Sequence, residues 1–306
     1  MPPGRPMYGR ADEIPQNVVD SLRAEAVEMA KKADLVVLVG GLNKNHFQDC
    51  EGGDRLEYGL PFGQDELIEL AGCKQEISFW YFLSGQCGGN DRRVIPGVPA
   101  IVQGWYLGSM GGKSLADILS GAVNPSGKLP FSFPAKLTDC GAHAFDELSY
   151  PGDSIKQEYK EDILVGYRWH DTKKIPALFP FGHGLSYTTF TYGKPVASAK
   201  TMAADGTLTV TVAVKNTGSI AGKEIVQLYV GDDKCSVLRP VKELKHFAKV
   251  ALAPGEEKSV TFTLTPDDLK FYDEASAAWK YEPGKFKAYV CASSADVRGV
   301  VPFEMQ

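Results

Sequence analysis

The chain predicts two folds in series, an α/β unit on a mostly parallel sheet and then an all-β sandwich. Three observations carry this reading. Before residue 192 the strand-like segments are continuous apolar runs, ADLVVLVGG (33–41) foremost, as in strands buried on both faces. Helix-spaced apolar residues stand between those runs, giving an αβα rhythm. After 206 the pattern changes to strict alternation, with Leu208, Val210, Val212 and Val214 separated by Thr and Ala. A length of 306 residues provides for about two domains of this kind.

Each element follows from its own residues. Val18, Leu22, Ala26, Met29 and Ala33 recur at helical spacing, so 17–33 reads as an amphipathic helix. Leu35–Val39 is apolar on both faces, which predicts a central parallel strand. It ends in Gly40 and Gly41, and the chain then enters the polar stretch DCEGGDRLEYGLPFGQDELIEL, 49–70, with Pro61 opening a helix. Loops after the carboxyl ends of parallel strands are where α/β folds place their chemistry. Glu51 stands there beside Gly52 and Gly53, which leave a ligand room to approach. Pro99–Trp105 reads as a second strand and 114–120 as a helix closed by Gly121. Asn124-Pro125-Ser126-Gly127 is a turn, and 135–158 shows no periodicity and reads as a long surface loop. Residues 193–206 are polar and small, as in a linker. Val260, Phe262 and Leu264, then Phe286, Ala288 and Val290, repeat the two-residue alternation, with turns at Gly218, Pro254-Gly255 and Pro283-Gly284.

One segment breaks the rhythm. CKQEISFWYFLSGQCGGNDRRVIP, 73–96, stands where a Val-rich buried strand is due, yet EISFWYFL is bulky throughout. Gln86 to Asn90 can be written CAA TGC GGT GGA AAT, and moving one base yields Asn-Ala-Val-Glu-Met instead. Glu76 to Phe82 moved by two bases permits a Val-rich strand. The segment therefore reads as the product of frameshifts, and residues 74–95 are expected to be irregular or poorly packed, since overpacking costs about 1–3 kcal/mol.

Composition excludes several classes. A net charge of -5 with no basic block argues against nucleic acid as a partner. No run of about 18 apolar residues exists to cross a membrane, and MPPGRPMYGRADE has no apolar core of a signal peptide. The six cysteines form no CxxC pair, which predicts free thiols rather than a metal site. Gly-x-Ser-x-Gly is absent, and Gly112-Lys113-Ser114 lacks the glycine that a phosphate loop needs before a four-residue gap, Leu107 standing there instead.

EGGDR with LPFGQDELI resembles the acid/base loop of glycoside hydrolase family 3. GWYLGSMGGKSLADILSGAVNPSGKLPFSFP (104–134), YKEDILVGYRWHDT (159–172) and ALFPFGHGLSYTTFTY (177–192) are similar to later motifs of its α/β sandwich. RPVKELKHFAKVALAPGE (239–256) resembles its fibronectin type III-like domain. The resemblance implies a partial family 3 α/β domain at 1–192, a linker at 193–206 and a fibronectin type III-like domain at 207–306. It implies the C-terminal part of a retaining β-glycosidase acting on terminal β-linked glucose or xylose, with no cofactor and no metal. The alternative is a non-catalytic carbohydrate-binding or scaffolding fragment.

Retaining glycosidases set two carboxyl groups about 5–5.5 Å apart. By resemblance Glu51 is the general acid/base. The nucleophile, in this family an Asp on an N-terminal barrel, is not found in this chain. Asp54 and Arg55 are read as loop-shaping or substrate-adjacent: the Arg55 charge keeps Asp54 ionised and a poor acid. Glu161 is read as structural or subsite-lining, and His183 as a hydrogen-bonding group. Trp105, Tyr106 and Trp169 can stack on sugar rings, with core packing the weightier reading for each. The implied partner is an oligosaccharide or aryl β-glycoside, with self-association through the surface that the barrel would cover. The resemblance is compatible with a periplasmic or secreted parent enzyme.

Overall fold

The computed structural model describes residues 14–42, 58–72, 78–83 and 98–306. The chain divides between Ala116 and Asp117 into two compact units.

The first unit contains α1 (Gln16–Ala30), β1 (Val36–Gly41), α2 (Gln64–Gly72), β2 (Ser78–Leu83) and β3 (Ala100–Gln103). α3 (Gly111–Leu119) carries the chain into the second unit. The three strands form a sheet in the order β1-β2-β3. Both pairs are parallel, in register from Val36↔Ser78 to Gly41↔Leu83 and from Phe79↔Ala100 to Phe82↔Gln103. All three carboxyl ends therefore lie at one edge of the sheet. The buried pair Leu60 and Ile68 packs with Leu38, Val98 and Ile101. Ile68, on α2, is fully buried, as expected of a helix laid on a sheet.

Three readings change here. Among the described residues β1 is an edge strand, and Val37 and Val39 are 44% and 60% exposed, so it is not buried on both faces. The apolar stripe of α1 is likewise open: Val18, Leu22 and Met29 are exposed, and Ala30 is the buried residue of the helix. Periodicity reports which residues share a face, not whether anything covers it. Residues 78–83, expected to be irregular or poorly packed, form the central strand and pair on both sides, so the backbone is regular there. Aromatic residues favour extended backbone, and strand pairing needs only that. Residues 73–77 and 84–95 lie outside the described residues.

In the second unit the sandwich alternation appears as read. β7 (Leu208–Asn216) buries Leu208, Val210, Val212 and Val214 while the intervening residues face outward. One sheet runs β10-β7-β4, with β5 also paired to β7; the other runs β6-β14-β13-β8-β9. Their strands are β4 (Phe190–Tyr192), β5 (Val196–Ala197), β6 (Thr201–Met202), β8 (Gly222–Asp232), β9 (Glu243–Leu252), β10 (Glu257–Leu264), β13 (Gly284–Cys291) and β14 (Val297–Met305). A short hairpin pairs β11 (Phe271–Asp273) with β12 (Ala278–Lys280). Leu228, Leu252, Phe286, Val290, Phe303 and Met305 meet the inner face of β7 in one core. The segment 193–206, linker-like in composition, contributes β5 and β6 to the two sheets.

Residues 117–189 pack on this sandwich. The helix α4 (Tyr167–Lys173) places Asp171 against Lys242 at 2.6 Å, both largely buried. The Tyr167 hydroxyl accepts the Leu244 N–H at 2.8 Å, and its ring meets Tyr229 edge-on. Asn124, in the predicted turn, donates to Ala221 O and accepts from the Ser186 hydroxyl and the Tyr187 N–H. Gln227 donates to Gly182 O, and Lys128 stands 3.3 Å from Glu224.

Candidate active-site loop and its frame

The loop that carries the candidate chemistry leaves β1 at its carboxyl end. Glu51, Asp54 and Arg55 lie outside the described residues, but both ends of their loop are described. Gln64, first residue of α2, ties them together. Its Oε1 accepts the Gly41 N–H at 2.7 Å, and its Nε2 donates to Gly41 O at 2.9 Å and to Pro61 O at 3.0 Å. The approach is close enough that a Cβ at Gly40 would stand 2.7 Å from Gln64 Oε1 and would push the Gln64 amide aside. Asp65 accepts the Leu60 N–H at 2.9 Å, fixing the returning strand of the loop just before α2. Arg23 of α1 pairs with Glu66 at 2.9 Å. Asp65 and Glu66 lie in the first turn of α2, where the helix dipole favours acidic side chains.

Pro61 does not itself open the helix. Phe62 and Gly63 both have left-handed φ values, 62° and 68°, so the chain makes one turn before α2 begins at Gln64. That turn delivers the Gln64 side chain back to Gly41. Gln64 stands in the quoted motif, yet sequence reasoning gave it no role. A lone glutamine has no periodic or chemical signature; its place at the head of a helix, after Pro-x-Gly, is the one signal that could have found it.

The chain leaving β3 emerges at the same sheet edge as the loop after β1. There Gly104 is buried, Trp105 is half-buried with φ 58°, and Tyr106 is 64% exposed. Of the three aromatic residues read as possible sugar platforms, Tyr106 presents the most open ring. Trp169 is a core residue, 6% exposed, with Phe145 edge-on at 5.8 Å and Lys173 Nζ 5.3 Å from its ring centre. Glu161 is buried, and its Oε2 has no hydrogen-bond partner. That burial fits the structural reading and leaves no open route to a ligand at this oxygen. His183 sits inside the second unit, its ring stacked on Phe179 at 5.7 Å and its backbone oxygen accepting the Leu129 N–H. Burial, aided by the Lys128 charge, holds its imidazole below the usual value. The described thiols Cys140, Cys235 and Cys291 are free. Burial pushes Cys140 up to about 11 and Cys291 to about 12, so neither is a ready nucleophile.

Comparison with known proteins agrees with this layout. Residues 6–187 match the glycosyl hydrolase family 3 C-terminal domain, and 224–294 match the fibronectin type III-like domain. The chain is 64% identical over 301 residues to β-glucosidase BoGH3A of Bacteroides ovatus, across 98% of its own length and 40% of that protein's. It is 43% identical to thermostable β-glucosidase B of Acetivibrio thermocellus, spanning 36% of that protein. Among solved structures, the β-glucosidase DesR of Streptomyces venezuelae in complex with D-glucose superposes with a TM-score of 0.85 at 36% identity, over 95% of this chain and 36% of that one. The chain thus spans well under half the length of the relatives it matches. It belongs to glycoside hydrolase family 3, whose C-terminal α/β domain and fibronectin type III-like domain it carries.

Proposed function

We propose that this chain supplies the acid/base carboxylate of a retaining β-glycosidase acting on terminal β-linked glucose, with Glu51 as that group. The observation that carries the reading is the frame of the 43–57 loop. Gln64 ties the carboxyl end of β1 to the start of α2 on either side of it, and the EGGDR motif lies within the residues matched to the family. In the first step Glu51 would protonate the departing glycosidic oxygen; in the second, as a base, it would activate water. Asp54 and Arg55 would shape the loop or stand beside the substrate, and Tyr106 would offer a face to the sugar. The proposed substrate is an oligosaccharide or aryl β-glucoside, in keeping with relatives named as β-glucosidases.

No residue of this chain is assigned as nucleophile. The partial coverage of the relatives favours a second reading, in which the chain alone binds or scaffolds without turnover. The exposed face of Val37 and Val39 and the stripe Leu22–Met29 support self-association of such a fragment. Turnover of aryl β-glucosides by this chain joined to the N-terminal remainder of a family relative, with and without Glu51→Gln, separates the two readings. A rate that falls with the substitution supports Glu51 as the acid/base, and a rate indifferent to it supports a binding or scaffolding role.

A further inference from the structure

The β11–β12 hairpin presents two aromatic rings to solvent on one face. Tyr272 and Trp279 are direct cross-strand partners, 51% and 66% exposed, with ring centres 5.7 Å apart and planes 70° apart. The hairpin does not depend on them for its anchorage. Phe271 and Asp273 point inward and are buried. Asp273 takes the Ser276 N–H and hydroxyl and pairs with Lys280 at 2.9 Å. Lys280 and Arg239 each stand 5.7 Å from the centre of the Phe271 ring. An outward cross-strand pair adds only about 0.2–1 kcal/mol to such a scaffold. Two large apolar rings are thus kept in water on a hairpin that is held from its other face.

We propose that the outward face of this hairpin is a carbohydrate-binding platform for neutral β-linked glucan, separate from the Glu51 loop. Aromatic rings receive the C–H faces of pyranoses, and β-linked glucose, with its ring hydrogens axial, offers such an apolar face to each side. The charges around the rings pair among themselves, Lys270 with Asp267 and Lys280 with Asp273, so little field selects a charged ligand. Glu274, exposed in the turn, offers an acceptor to sugar hydroxyls. Two side chains cover far less than the roughly 800 Å² per partner of a stable protein interface, but enough for two sugar rings. The choice of β-linked glucose polymers as the class rests on the proposed function.

The test is native electrophoresis of the whole chain through gels cast with mixed-linkage β-glucan, with soluble starch, or with no polymer. The expected result is retardation by β-glucan alone, weakened at least tenfold by Trp279→Ala and less by Tyr272→Ala, with circular dichroism and melting unchanged. Equal retardation of wild type and Trp279→Ala overturns the platform, as does no retardation of wild type. Trp279-dependent retardation by starch instead overturns the ligand class. A dimer in light scattering that Trp279→Ala dissociates, without glucan retardation, identifies the rings as a protein contact and also overturns it. Because this readout needs no turnover, failure of the glycosidase reading would show only in the aryl-glucoside assay.

Discussion

The two compact units differ in how completely they bury their own apolar surface. In the second, both faces of the sandwich core are closed: Leu208, Val210, Val212 and Val214 of β7 are covered by Leu228, Phe286 and Val290 across the layer. In the first, α2 covers one face of the parallel sheet through Ile68 while Val37 and Val39 of β1 are exposed, and α1 turns Leu22 and Met29 to solvent. Parallel sheets are ordinarily covered on both faces. The sandwich closes its own inner core. The α/β unit leaves apolar surface of α1 and β1 open.

The largest expected effect tests that asymmetry. Leu228→Ala should destabilise the second unit by about 3 kcal/mol, because Leu228 is fully buried and a cavity remains. Val39→Ser should change the first unit by no more than about 0.5 kcal/mol. Chemical denaturation followed unit by unit checks both, and a large loss from Val39→Ser would mean that its face is covered in solution.

A smaller effect concerns the frame. Gln64→Leu keeps the bulk but removes every hydrogen bond of the Gly41 clamp, so the loop ends should open more readily. The expected change is about tenfold faster amide exchange at Gly41 and faster proteolytic nicking within 43–57, a local loss of about 1–2 kcal/mol. Exchange in the sandwich should not change.

The smallest effect is a pH dependence confined to the second unit. His183 has its imidazole held below the ordinary 6.5 by burial, and His143 is lowered in the same way. Between the folded and unfolded values the unfolded chain binds the proton and the folded one does not. Stability then rises with pH across that window and is lost as pH falls below 6.5. His183→Gln should flatten this acid limb in a series of melting curves, whereas an unchanged slope would assign the loss to other groups.

The sandwich was legible in the sequence because a two-residue period writes burial directly into the order of residues, as in Leu208 to Val214. The end of β1 was legible because a short apolar run ending in glycines marks the end of a strand. The cover of each face was not legible: the spacing of Val18, Leu22 and Met29 is helical whether or not anything lies over it. Residues 78–83 misled for a related reason, since their bulk argues about packing while the strand is specified by backbone pairing. Gln64 and Asn124 act through backbone groups distant in sequence, which no local pattern records.

The measurement closest to the central claim is turnover of a β-glucoside with a poor leaving group. It is made on the 306-residue chain and on the same chain joined to the N-terminal remainder of a family relative, each with and without Glu51→Gln. The chain alone should stand near background in both forms, because one carboxylate cannot perform double displacement. The joined enzyme should turn over, and Glu51→Gln should lower its rate by several orders of magnitude, with a smaller loss for activated aryl glucosides whose leaving groups need little protonation. Robust turnover by the 306-residue chain alone, or a joined enzyme indifferent to Glu51→Gln, would contradict the account.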